Sequence, residues 1–206
     1  MKPFLGVLAF MLWASTPITP VRADDTLSTI SRLLSRNSII CADFTQRKTL
    51  RALTRPLLSK GRVVFIAGKG ILWRVRDPFP TQLLVNRDAL IKWNDAGEPQ
   101  PLGFEQSPIF GALVRVFMAM FTGEIGPLQE NFETESDIGK SVWRLTLTPR
   151  DKGFAEIITR VHVTGGRFVD ELRIKERHGD QTLIKFSNMN TTSCQLDNAE
   201  KGYFAR

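Results

Sequence analysis

Residues 61–77 read G-R-V-V-F-I-A-G-K-G-I-L-W-R-V-R-D. Val63 and Phe65 alternate with Arg62 and Val64, and Ile71, Trp73 and Val75 alternate with Leu72, Arg74 and Arg76. Gly68-Lys69-Gly70 between them is a tight-turn signal. Two period-two runs about such a turn specify a β-hairpin with one apolar and one mostly polar face. The same rhythm extends both ways. Upstream, Ile40, Ala42 and Phe44 alternate with Asp43, Thr45 and Arg47. Downstream, Pro78 and Pro80 end the strand, Leu83 and Val85 begin another, and Asn86-Arg87-Asp88 turns the chain into Ile91 and Trp93.

Asn94-Asp95-Ala96-Gly97 is the next turn signal, and alternation resumes at Trp143, Leu145 and Leu147, then at Val161 and Val163. Beyond Gly165-Gly166, Phe168, Leu172 and Ile174 oppose Val169, Glu171, Arg173 and Lys175, and a turn near His178-Gly179-Asp180 leads to Ile184 and Phe186. Ten or so short strands at hairpin spacing predict an antiparallel sheet large enough to curl strongly. No repeat, linker or low-complexity tract suggests a second domain, so one domain is expected over 24–206.

Two helices are expected. Asp24 and Asp25 can cap a helix whose Leu27, Ile30, Leu33 and Leu34 form one apolar stripe. Residues 108–122, P-I-F-G-A-L-V-R-V-F-M-A-M-F-T, are apolar nearly all round, with Arg115 as the only charge. Such a helix must be buried on most sides or cover something apolar. Ahead of both, Lys2, the apolar run Phe4–Trp13 and Val21-Arg22-Ala23 read as a secretory signal peptide over 1–23, with a mature start at Asp24. A retained anchor is the alternative, but ten apolar residues fall short of the ~20 that span a bilayer.

Removing Lys2 and Arg22 from the 28 basic residues leaves 26 against 21 acidic ones. The excess is concentrated: Arg47, Lys48, Arg51, Arg55, Lys60, Arg62, Lys69, Arg74 and Arg76 fall within 44–76, which contains no acid. On an exported protein such a surface meets anionic lipid headgroups or acidic protein partners, or is simply a solvated sheet face; nucleic acid is not expected. Cys41 and Cys194 are the two cysteines, and an oxidising compartment favours a disulfide between them.

Catalytic signatures are missing from the sequence. His162 and His178 have no metal-ligand spacing, there is no G-x-S-x-G elbow or phosphate-binding loop, and the acids are scattered. Asn190-Thr191-Thr192 matches a glycosylation sequon, a pattern common by chance. No enzyme, metal or cofactor is expected. The apolar positions are the informative ones: Phe44, Val63, Phe65, Ile71, Trp73, Val75, Leu83, Val85, Ile91, Trp93, Trp143 and Leu145 on strands, and Phe110, Leu113, Val114, Phe117 and Phe121 on the apolar helix. They form either an ordinary packed core or the walls of a cavity for acyl chains, closed by the helices as a lid.

Phe44-Thr45-Gln46, Gly61, Trp73 with Asp77-Pro78, Leu83 to Val85, Trp93, and Leu147-Thr148-Pro149, in that order, resemble the outer-membrane lipoprotein carriers (LolA-like). The resemblance implies an incomplete, strongly curved antiparallel barrel with a helical lid over a hydrophobic cavity. It also implies a monomer in the periplasm, passing an acylated cargo from an inner-membrane exporter to an outer-membrane acceptor, with transient membrane contact. One position departs. Where carriers of the best-known type have an arginine that latches the lid, this chain has Ala67, with Lys69 the nearest basic residue. Arg55–Gly61 and Arg74–Pro78 look more like a divergent branch associated with export of fatty-acid-derived or aryl polyene lipids, so the expected cargo is a lipoprotein or a lipid. A related use of the fold, as a periplasmic sensor that binds a membrane signalling protein, is the second expectation.

Overall fold

The computed structural model describes residues 23–86, 89–94, 96–102 and 108–205, with backbone alone at 23–24 and 108–113. The leader read from the sequence lies outside them. Helix α1 (Ala23–Leu34) precedes β1 (Ile39–Thr49), β2 (Leu57–Ile66), β3 (Gly70–Asp77), β4 (Thr81–Val85), β5 (Leu90–Trp93) and β6 (Pro99–Leu102). Helices α2 (Pro108–Thr122) and α3 (Leu128–Asn131) lead to β7 (Phe132–Ile138), β8 (Trp143–Pro149), α4 (Lys152–Ala155), β9 (Ile158–Gly165), β10 (Val169–Glu176), β11 (Gln181–Asn190) and α5 (Asn198–Phe204).

The eleven strands among the described residues form one antiparallel sheet in the order β6-β5-β4-β3-β2-β1-β11-β10-β9-β8-β7. Nearest neighbours in sequence pair throughout, except where β1 and β11 meet in the middle. The sheet is not closed: β6 and β7 are its free edges, and α2 and α3 connect them. Neither edge strand is legible as apolar alternation, because β6 is exposed at all four residues and the less exposed positions of β7 after Phe132 are Thr134 and Ser136.

The concave face holds the core. Ile40, Ala42, Phe44, Val63, Phe65, Ile71 and Val85 from one half of the sheet meet Leu145, Leu147, Val161, Val163, Leu172 and Ile184 from the other. Leu27, Ile30 and Leu34 of α1 and Val116, Ala119, Met120 and Phe121 of α2 close it. The stripe read on α1 and the all-round apolar character of α2 thus have the same cause. Ser31 donates to the Gly123 carbonyl, tying the two helices together where α2 ends. Gly123 has φ +75°, and a Cβ there would meet the Ser31 carbonyl oxygen at 2.5 Å. Val169 belongs to this core rather than to the polar face on which alternation places it, because the β9–β10 register shifts between Val169 and Glu171.

The outward face of the first half departs from expectation. A second cluster of Cys41, Val64, Leu72, Leu84, Trp93 and Phe204, with Ile66, Ile91, Leu196 and Tyr203 packed against it, lies behind β1 to β5. The C-terminal segment covers it. Cys194 is bonded to Cys41 with Cα atoms 5.5 Å apart, an ordinary disulfide separation. Glu200 of α5, only 1 % exposed, faces Arg62 Nε at 3.1 Å and Arg74 Nη1 at 3.2 Å, and Arg74 also reaches Asp197 at 2.6 Å. Asp197 and Glu200 cap α5 reciprocally, each side chain accepting the other's backbone N–H. Part of the basic run in 44–76 therefore meets an acidic partner within its own chain.

Two predictions concern this strap. A disulfide closing about 150 residues contributes on the order of 3–5 kcal/mol in the chain-entropy model, so Cys41→Ser should lower the melting temperature clearly. Alkylation of two thiols in the native, unreduced protein would contradict the bond. Acid should loosen the strap as well. The Glu200 backbone N–H and the Arg74 guanidinium hold the Asp197 carboxyl below its usual range, and a hydrogen bond from Asn188, with Arg76 nearby, does the same for Asp43. The folded state gives up these protons more readily than the unfolded one. Their stabilisation is complete above about pH 4 and is lost as pH falls through the lower folded values. Thermal melts should drop below about pH 4, and Asp197→Asn should remove part of that drop.

Candidate lipid-binding pocket

The sequence alternation brings most of the expected site residues to one face. Phe44, Val63, Phe65, Ile71, Val85, Val114, Phe121, Trp143 and Leu145 are buried in the concave core, with Trp73, Val75, Leu83 and Phe117 partly buried against it. The side chains of Phe110 and Leu113 lie outside the described residues. Ile91 and Trp93 are corrections. Ile91 pairs with Leu84 and stands with it on the opposite face, where Trp93 meets the Tyr203 ring at a centroid distance of 4.4 Å. Their strand is in the expected place but its phase is reversed: Leu90, paired with Val85, carries the inward position.

Most of this face is solidly packed, as a protein interior should be. Among the described residues, an apolar gap lies where this face meets α2. Gln46, Ile71, Trp73, Leu83 and Val85 on the sheet, with Val114 and Phe117 of α2, line an apolar cavity of about 170 Å³. Its floor is an aromatic cluster centred on Trp73. Phe44 lies over Trp73 with ring centroids 3.9 Å apart, and Phe117 and Phe186 meet it edge-on at 5.5 Å and 6.1 Å. Phe121 continues the cluster to Phe186 at 5.9 Å. Phe186 and Gln46 are members that the reading of inward positions left out. The strand around Phe186 was legible, and its phase with Ile184 was the available signal.

Gly61 makes the Phe44 position possible. A Cβ on Gly61 would come within 2.7 Å of the Phe44 ring and 2.0 Å of the Arg74 carbonyl oxygen. Only a residue without a side chain lets Phe44 press down onto Trp73.

The cavity's size sets what it can do as it stands. An apolar cavity near 150 Å³ accommodates a benzene-sized guest, whereas sites for larger ligands run from roughly 300 Å³ upward. An acyl chain entering here must displace α2 or turn Phe117 aside. Each CH₂ removed from water contributes ~0.8 kcal/mol, so a long chain supplies enough to do so. α2 holds no charge on the cavity side, its one charged residue, Arg115, being exposed.

A second cleft, of about 360 Å³, opens beside the end of α2, lined by Ser35, Asn37, Ala67, Lys69, Met118, Thr122 and Glu124 among others. Ala67 is exposed here, its backbone N–H bonded to the Ser38 carbonyl. A methyl group at this position offers the lid helix no side-chain donor. The histidines lie elsewhere: His162 contacts Thr146 across β8 and β9, with its pKa lowered mainly by burial, and the His178 carbonyl accepts from Arg51. Asn190 uses its side chain to close a turn onto Thr192 and Ser193. Among the described residues no group of three or more acidic, histidine or cysteine side chains is placed to hold a metal, and no helix is long and apolar enough to cross a membrane.

Several solved structures are similar to this chain. A LolA superfamily protein from Nitrosomonas europaea is 12 % identical, with TM-score 0.48 and coverage of 87 % of this chain and 96 % of that one. A putative outer membrane lipoprotein-sorting protein domain from Vibrio parahaemolyticus is 10 % identical, with TM-score 0.49 and coverage of 90 % and 100 %. The complex of MucA and MucB from Pseudomonas aeruginosa gives 13 %, 0.48, 86 % and 59 %. No curated protein matches. The family model described as outer membrane lipoprotein carrier protein LolA matches residues 36–199, from just before β1 to the start of α5. The curled antiparallel sheet, the apolar helix across its concave face and that match over most of the length place this chain in the LolA family.

Proposed function

We propose that this protein is a periplasmic carrier that takes the acyl chain of a lipoprotein or lipid into the pocket beneath α2. It would receive that cargo from an inner-membrane exporter and pass it to an outer-membrane acceptor. The observation that carries this reading is the apolar space between Trp73 and Phe117, roofed by a helix, in a chain of the LolA family. The pocket offers binding without reaction. Its lining has one polar side chain, Gln46, and no nucleophile paired with a base.

Native mass spectrometry of the protein taken from its own periplasm is expected to show acylated species bound. A protein that stays empty even after crosslinking in cells would contradict the proposal. Capture of a membrane signalling protein by such an empty protein would instead favour the sensor reading.

Ala67 bears on release. Without a donor from this position, the lid has, among the described residues, apolar contacts and the Ser31–Gly123 bond to hold it, so cargo should exchange in either direction. Ala67→Arg can reach across the adjoining cleft toward Thr122 and Glu124. The variant is expected to favour the closed lid and to lower lipid occupancy about tenfold, which corresponds to one or two hydrogen bonds gained by the closed state. Unchanged occupancy would show that this cleft plays no part in lid closure.

A further inference from the structure

One end of the sheet is both apolar and basic. The turn joining β1 to β2 and the start of β2 expose Leu53, Leu57 and Leu58, and the link from β3 to β4 exposes Phe79, which is 79 % accessible. Lys60 pairs with Asp77, so the chain leaving β3 through Pro78 and Phe79 runs beside Leu57 and Leu58. The exposed apolar side chains therefore gather at one tip. A large apolar cluster held in water in this way marks an interaction surface.

The charge around it is selective. Arg47, Arg51, Arg55 and Lys60 are exposed at the same end, and Arg47, Arg55 and Lys60 have no ion-pair partner among the described residues. The groups that oppose them are few. Asp180 accepts the Arg51 backbone N–H, Glu176 pairs with Lys48 at 3.5 Å, and Asp77 is exposed. Farther along β2 and β3, Arg62 and Arg74 are engaged by the C-terminal strap and Arg76 by Asp43. What remains at the tip is a protruding aromatic ring and leucines rimmed by unpaired cations. That pairing suits the interface of a bilayer with anionic headgroups, where apolar side chains enter the acyl boundary and cations meet phosphate.

The tip also lies close to the pocket. Gln46, which lines the cavity, pairs with Ser59, and Leu57 stands two residues farther on the same face, about 7 Å along the strand. A surface bound through this end would meet the concave side of the sheet directly.

We propose that the tip formed by Leu53, Leu57, Leu58 and Phe79, with Arg47, Arg55 and Lys60, docks the protein reversibly on anionic phospholipid membranes. The docking does not depend on what the pocket carries. The purified protein is expected to co-sediment with vesicles of phosphatidylglycerol mixed with phosphatidylcholine, weakly with phosphatidylcholine alone, and progressively less as salt is raised. Leu58→Ser combined with Phe79→Ser should weaken binding about tenfold or more at all salt concentrations. Arg55→Glu combined with Lys60→Glu should abolish the preference for phosphatidylglycerol. All four positions are exposed, so the melting curves should stay unchanged and confirm that the fold is intact. Failure of the protein to bind phosphatidylglycerol vesicles at low salt, or binding by both variants as strong as that of the unsubstituted protein, would overturn the proposal. Binding to polyglutamate but to no vesicle would assign the tip to an acidic protein and overturn it too. Neither result would affect lipid occupancy of the pocket, which native mass spectrometry reads separately.

Discussion

Phe117→Glu is expected to leave the sheet folded and to abolish lipid binding. Phe117 is only partly buried, meets the Trp73 ring edge-on, and forms the α2 side of the cavity. A carboxylate there can turn to water while α2 is in place, so its cost to the empty protein is modest. With an acyl chain in the pocket it faces hydrocarbon, and an unpaired charge in that setting costs several kcal/mol. Occupancy should fall by two orders of magnitude or more, since about 2.7 kcal/mol already gives a hundredfold. Melting curves and bound lipid measured on the same sample separate the cases. A variant that unfolds would show that α2 is core rather than lid, and one that still carries lipid would remove Phe117 from the site.

The second large effect lies on the sheet. Gly61→Val adds three carbons where a single Cβ already meets the Phe44 ring at 2.7 Å and the Arg74 carbonyl at 2.0 Å. Neither the β2–β3 ladder nor a ring pressed against Trp73 can move freely. Overpacking of this kind costs about 3 kcal/mol, a large part of a domain's 5–15 kcal/mol. The variant should melt many degrees lower, and displacement of Phe44 should change the near-ultraviolet signal of Trp73. Gly61→Val combined with Phe44→Ala would recover part of the loss if the ring is the obstacle. No recovery would place the strain at the Arg74 carbonyl instead.

The concave side of the fold was largely legible in the sequence because alternation on long strands has one physical cause, burial of one face. Phe44, Val63, Phe65, Ile71 and Trp73 follow it without interruption. The rule failed where a second surface was buried. Val64, Leu72 and Leu84 sit on what alternation makes the solvent face, and the apolar residues of the C-terminal segment, Leu196, Tyr203 and Phe204, are what cover them. The same cover explains Trp93. A tryptophan on a short strand has two buried faces available here, and periodicity alone cannot choose between them. The edge strands β6 and β7 were illegible for the opposite reason, since β6 buries none of its residues and β7 turns Thr134 and Ser136, not apolar residues, to its less exposed face after Phe132.

The pocket shows a similar division. That Trp73, Val114 and Phe117 share a site follows from the alternation of β3 and the apolar nature of α2. That many of their neighbours fill the interior beside a cavity of about 170 Å³ depends on side-chain packing between distant strands, which no local pattern records. The charge pattern was informative in a divided way. Arg62, Arg74 and Arg76 bind the chain's own acids, Lys69 stands at the β2–β3 turn beside the cleft, and Arg47, Arg55 and Lys60 rim the exposed tip.

The central claim is that an acyl chain lies beneath α2 against Trp73, and fluorescence quenching by brominated acyl chains tests it directly. Trp73 and Trp93 stand on opposite faces of the same sheet. Two variants, each keeping one of these tryptophans and replacing the others with phenylalanine, report the two faces separately. The account predicts that a bromine on the acyl chain quenches Trp73 strongly, leaves Trp93 unaffected, and loses its effect on Trp73 in Phe117→Glu. Quenching of Trp93 with Trp73 unchanged, or of neither while lipid is bound, would contradict it.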